Sequence, residues 1–484
     1  MSPIDCVTGT LTPYTPNAGT PWDKRRIMHL YRRMGFGATP SEITTALSQN
    51  PSQLIDAIIN QAIALPLPAE PEWAYWDITK YQSQDEAAVQ IFDWSRQWLL
   101  DMINKGFREK LALFWHNHFV TRQETYGCPS YLYQYHKLLQ QYALGNFKTF
   151  VKEIGKTPAM LVFLNGVQNT RFQPNENYAR ELYELFTLGR DNGYTQSDIV
   201  QTAKALTGWN SLENNQYCGK INFVPTLFDP GQKMIFGKTG NYNFDTLHDL
   251  LFAERGVQIS EYICRKIYRH FVSPQADEAI VSELATIFRD NNFEIAPVLR
   301  TLFKSEHFFD EANIGVIVKS PLEHEITFLR EGGFQISWTE DWLNGLLYLA
   351  GELGQSLFNP VDVAGWQGNR AWVNSNTLTG RWQALRYLIF ILYQNYPAQF
   401  TAFARNLSND SNNAELITEL IVNHFLSNGL QTPEEYDRAY ISFQAEIPLH
   451  YFEDGAWSLA WDTAPAQVAL LLDHVIKRPE FQLS

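Results

Sequence analysis

Apolar side chains fall at helical spacing along most of this sequence, and that periodicity limits the fold more than any other feature. Ile27, Leu30, Tyr31 and Met34 make one stripe. Phe107, Leu111, Phe114, Trp115 and His118 make a second, and Tyr178, Leu182, Leu185 and Phe186 a third. Each stripe buries one face of a helix against its neighbours, so the expected fold is mainly α, a multi-helix single unit. The punctuation agrees. Thr39 and Glu42 have capping-box spacing, and the stretch from Pro174 to Gly189 has Asn175 to cap it and Gly189 to end it. Residues 217–244 break the pattern, alternating turn residues with β-formers such as Ile221 to Val224 and Met234 to Phe236. A small β-hairpin or ordered-loop insertion is expected there. Residues 1–20, rich in Thr, Pro and Gly, read as an extended N-terminal arm on the surface, and residues 21–484 as one helical domain.

With 45% hydrophobic and 14% aromatic residues the chain can bury a large core. Its 52 acidic against 38 basic residues give a formal charge of −14, which disfavours nucleic acid as a partner while leaving room for local basic sites. No apolar run approaches the roughly 20 residues that span a bilayer, so no integral membrane segment is expected. The first residues lack the basic and apolar regions of a secretory signal, which points to the cytoplasm. Cys6, Cys128, Cys218 and Cys264 show no C-x-x-C spacing and read as free thiols.

The chemistry-bearing residues cluster in two stretches. On the helix of 175–188, Glu176, Arg180 and Glu184 gather opposite the apolar arc, while Glu181 sits at its edge. A carboxylate there needs a cation, a donor or a metal. In the second stretch His118 falls in the middle of the apolar face, with Asn117 and His116 beside it. His118, Glu181, Arg180 and Glu184 are therefore the catalytic candidates. His118 and Glu181 are the candidate ligands of one divalent metal. The alternative is a buried network that only fixes helix packing. Asp229 and Lys233 in the inserted segment, and Arg33 beside the Gly35-Phe36-Gly37 turn, are candidate substrate contacts. That turn lacks a preceding strand, so it is no dinucleotide fingerprint and reads best as a tight interhelical connection.

Six segments taken together resemble the bacterial family called domain of unknown function number 1800. They are His29 to Pro40, Arg108 to Phe119, Pro174 to Gly189, Ala203 to Trp209, Ile267 to Val272, and Asp362 to Gly368 with Arg381-Trp382. The resemblance implies one family-wide unit and assigns no activity. Members often carry His-Asp where this chain has Phe228-Asp229, so a shared chemistry that required that histidine would lack it here, while Asp229 and Lys233 remain. The residue types permit a metal-assisted hydrolase with its site between helices 108–119 and 175–188. They also permit a noncatalytic helical scaffold, or a small-molecule, carbohydrate or peptide binder using Trp366 and Trp372 as exposed stacking platforms.

Overall fold

All ten residues of the Phe107–His116 helix are buried, its four ionisable side chains included. Buried charges require partners, and the surrounding elements supply them. Arg108 Nε donates to Glu109 Oε1 at 2.9 Å, and its Nη1 donates to the Leu65 and Pro66 carbonyls at 2.8 Å each. Glu109 Oε2 accepts from Trp98 Nε1 at 3.1 Å and Gln140 Nε2 at 2.8 Å. Lys110 pairs with Glu323. The helix is thus a central strut to which other segments are tied.

The computed structural model describes residues 9–210 and 218–484. The fold is mainly α, with twenty-two α-helices and two two-stranded antiparallel sheets among the described residues. Local caps set the helix starts. Asp23 accepts from the Arg26 amide ahead of Lys24–Arg33, and Thr39 and Glu42 form the expected capping box ahead of Pro40–Leu47. Residues 9–20 are extended and bonded to 304–310: the Glu306 amide donates to the Thr12 carbonyl at 2.8 Å and the His307 amide to that of Thr10 at 3.0 Å. Tyr14 from this arm is buried against Phe309. Residues 1–8 and 211–217 lie outside the described part, as does the share of the arm and insertion that falls on them.

The insertion contains the expected hairpin, with Lys233 paired to Gly240 and Ile235 to Lys238. A second ribbon pairs Trp209 with Phe223, so one of its strands precedes the segment expected to hold β structure. One expectation is overturned here. Cys128 and Cys218 form a disulfide across a sequence separation of 90 rather than standing as free thiols, tying the insertion to the start of the Pro129–Gln141 helix. Dispersed spacing hides such a pair because contact is decided by the fold, not by the interval. Cys264 is free and buried.

Two further local expectations change. The stretch 174–189 is not one regular helix: Asn177–Glu181 is α, and Leu182–Thr187 widens into a π-helix before Gly189, at φ +89°, ends it. The helix expected over 108–119 also ends early, at His116 with Asn117 as its C-cap, so His118 lies in the turn that follows. Near the other end, Arg32 and Glu331 form a bidentate pair at 2.6 and 2.7 Å, with both side chains at most 1% exposed. No described helix is long and apolar enough to cross a membrane.

Candidate functional site

A cavity of about 580 Å³ opens beside the end of the Phe107–His116 helix. Its wall combines the ends of several elements: Arg32 and Arg33 from Lys24–Arg33, Lys110 and Phe114 from the central helix, and Asn117 and His118 from the turn that follows it. Lys266, Arg269 and His270 come from Phe244–Phe271, and residues 364 and 366–372 close one side. At i, i+3 and i+4, Lys266, Arg269 and His270 share one face of their helix, so its final turns present all three to the same space.

The loop is held by Asn117. Its Nδ2 donates to the Trp366 carbonyl at 3.0 Å, and its Oδ1 accepts from the Trp366 amide at 2.6 Å. Gly365 makes this approach possible. It has φ +82°, and a Cβ there would lie 2.3 Å from Asn117 Oδ1, so only glycine fits.

The wall is strongly basic. Arg32, Arg33, Lys110, Lys266, Arg269 and Arg370 face a single acidic side chain, Glu323. Three of these cations are already engaged: Arg32 by Glu331, Lys110 by Glu323, and Arg33 by the carbonyl and hydroxyl of Ser484 at 2.7 and 3.1 Å. Burial is the largest single influence on the Glu323 carboxyl and raises it, but Lys110, His270 and the Ser320 amide together outweigh it and hold the pKa down to about 2. Lys266, Arg269 and Arg370 make no ion pair among the described residues. Burial of the half-exposed Lys266 in this recess lowers its pKa to about 8.

His118 is the most distinctive group. Its Nε2 lies 3.1 Å from the Phe186 carbonyl oxygen. A carbonyl can only accept, so Nε2 carries the proton and Nδ1 keeps a lone pair. That Nδ1 is buried and unpartnered. Burial, reinforced by the nearby Lys266 charge, lowers the imidazole pKa well below its ordinary value, which keeps the ring neutral. His270 Nε2 and Trp366 Nε1 are likewise buried without a partner. Burial, with Lys110 adding to it, takes His270 down to about 3.

The sequence-derived candidates divide. His118, Arg33 and Asn117 stand on this wall, whereas no residue of 175–188 lines it. Arg180 instead bridges Glu176 at 3.2 Å and Glu184 at 3.3 Å on its own helix. Glu181 makes no ion pair among the described residues, and its pKa is raised first by burial and then by Glu184. Asp229 and Lys233 close on each other within their loop, where the Lys233 ammonium donates to the Asp229 and Gly231 carbonyls and lies 4.9 Å from the Phe228 ring. Trp366 and Trp372 are buried, at 5% and 9% exposure, and line the cavity instead of forming exposed platforms. The Trp366 ring packs against His116 and Trp372, with centroids 5.5 and 6.3 Å away.

Among the described residues no group of three or more His, Cys, Asp and Glu side chains is placed to hold a metal. The unpartnered ring nitrogens on the wall are His118 Nδ1 and His270 Nε2, two where catalytic zinc commonly has three protein ligands. The residues missed from sequence are Lys266, Arg269, His270, Glu323 and Arg370. A signal for two of them existed, since Arg269 and His270 fall inside the Ile267 to Val272 segment.

No curated protein and no solved structure matches the chain significantly. A family model does, over residues 29–483. The chain belongs to the family described as protein of unknown function, DUF1800.

Proposed function

We propose that the cavity is the site of a hydrolytic enzyme acting on a small anionic substrate, with His118 Nδ1 as the proton acceptor. The observation that carries this reading is the meeting, in a protein of net charge −14, of three cations lacking ion-pair partners with a buried imidazole whose second nitrogen is already fixed by a carbonyl. The cations supply binding and charge stabilisation. Fixing one ring nitrogen orients the other, as the third group of a nucleophile and base relay does. An anion bound against these cations also raises the His118 pKa towards working pH. A divalent metal at His118 would need ligands from substrate or water, because Glu181 is not on the wall.

A noncatalytic anion-binding role is the second reading. It is favoured by the engagement of Glu323 with Lys110, which leaves the wall without a free carboxylate. Turnover of chromogenic anionic esters, with and without added divalent metals, separates the two. Hydrolysis that His118→Asn abolishes while ligand binding persists supports the enzyme. Tight anion binding with no turnover under any metal condition supports the binder.

The Cys128–Cys218 disulfide supports residence where thiols are oxidised. It weighs against the cytoplasmic expectation.

A further inference from the structure

The cationic side chains of the cavity outnumber its carboxylates, and that imbalance narrows the ligand beyond its sign. We propose that the cavity takes a tetrahedral oxyanion, a phosphate monoester or inorganic phosphate, held by Lys266, Arg269 and Arg370. This inference rests on the reading of the cavity as an anion site.

The three cations without ion-pair partners set the charge requirement. A monocarboxylate neutralises one of them and leaves two positive charges on the same wall, whereas a dianion neutralises two. Hydrogen-bonding capacity points the same way. Lys266 offers three donors and each guanidinium five, all rigidly acceptor-free. Trp366 adds an indole N–H that is buried and unpartnered, and an indole can only donate. A carboxylate has two oxygens to meet these donors, while a phosphate group has at least three. The only acidic side chain on the wall is neutralised by Lys110, so it does not repel the incoming dianion. The neutral His118 lines the same wall on the side of the central helix and adds no charge to it.

Isothermal titration of the full chain with inorganic phosphate, sulfate and acetate at low ionic strength tests this. The expected result is saturable binding of phosphate and of sulfate, both tetrahedral dianions, at one site per chain, each much tighter than acetate. Lys266→Gln and Arg370→Gln should each weaken phosphate binding by about tenfold or more, the size of one lost charged hydrogen bond. Arg405→Gln, remote from the cavity, should leave it unchanged. Arg370 is exposed, so its variant tests the site without threatening the fold, and the melting temperature of each variant is recorded in parallel. Acetate binding tighter than phosphate overturns the tetrahedral assignment but keeps the anion site. No anion binding at all overturns both this inference and the reading beneath it.

Discussion

His118 Nε2 and the Phe186 carbonyl oxygen lie 3.1 Å apart, joining the turn after the central helix to the π-helical Leu182–Thr187 segment. The contact gives the carbonyl a donor and leaves the other ring nitrogen buried without a partner. His118→Leu fills similar space without a donor and should destabilise the fold by about 2–3 kcal/mol. His118→Gln, which can still donate, should cost about 1 kcal/mol. Urea denaturation of both variants checks the ranking; equal losses would mean that the hydrogen bond contributes nothing.

Burial depresses the pKa of His29, His116, His118, His136, His248, His270, His324 and His424, with His116 and His270 at about 3 and His248 at about 4. Below about pH 6.5 the unfolded chain protonates these groups and the native state does not. The unfolded state then binds more protons, so stability falls as pH drops from about 6.5 towards 4. The urea midpoint should hold nearly constant from pH 7 to 8 and decline steeply below pH 6. A flat midpoint down to pH 4.5 would refute the burial of these rings.

Glu181 behaves oppositely. Its folded pKa is raised by burial and by Glu184, so the native state holds its proton above the usual carboxylate range and loses stability as pH rises through that window. Glu181→Gln removes the titration. The variant should match the parent at pH 4 and equal or slightly exceed it at pH 7, within about 0.5 kcal/mol. A loss of about 3–5 kcal/mol at pH 7 would instead mark a stranded buried counter-ion.

The disulfide yields a covalent test. A non-reducing peptide map should recover the Cys128 and Cys218 peptides joined, and Cys264 unmodified until denaturation. Cys218→Ser should destabilise by about 2–5 kcal/mol, since the bond closes a long loop in the unfolded chain. Two separate thiol-labelled peptides from the native protein would exclude the bond.

Periodicity fixed the helical class, because burying one face of a helix imposes its spacing on the residues themselves. The cap at Thr39 was legible for the same local reason, as was the hairpin at 233–240, whereas Glu176 rather than Asn175 precedes the Asn177–Glu181 helix. His118 and Arg33 stood out as polar groups in apolar or turn contexts, and both reached the cavity wall. What the sequence could not decide was company. Glu181 and His118 sat on strong helical patterns, yet a π-helical turn and an early helix end re-aimed both segments, and these depend on packing between helices far apart in the chain. Cys128 met Cys218, and Lys266, Arg269 and Arg370 converged with His118, only when the chain closed. Periodicity records which face of an element is buried; which elements share a cavity is set by long-range contacts that leave no interval to read.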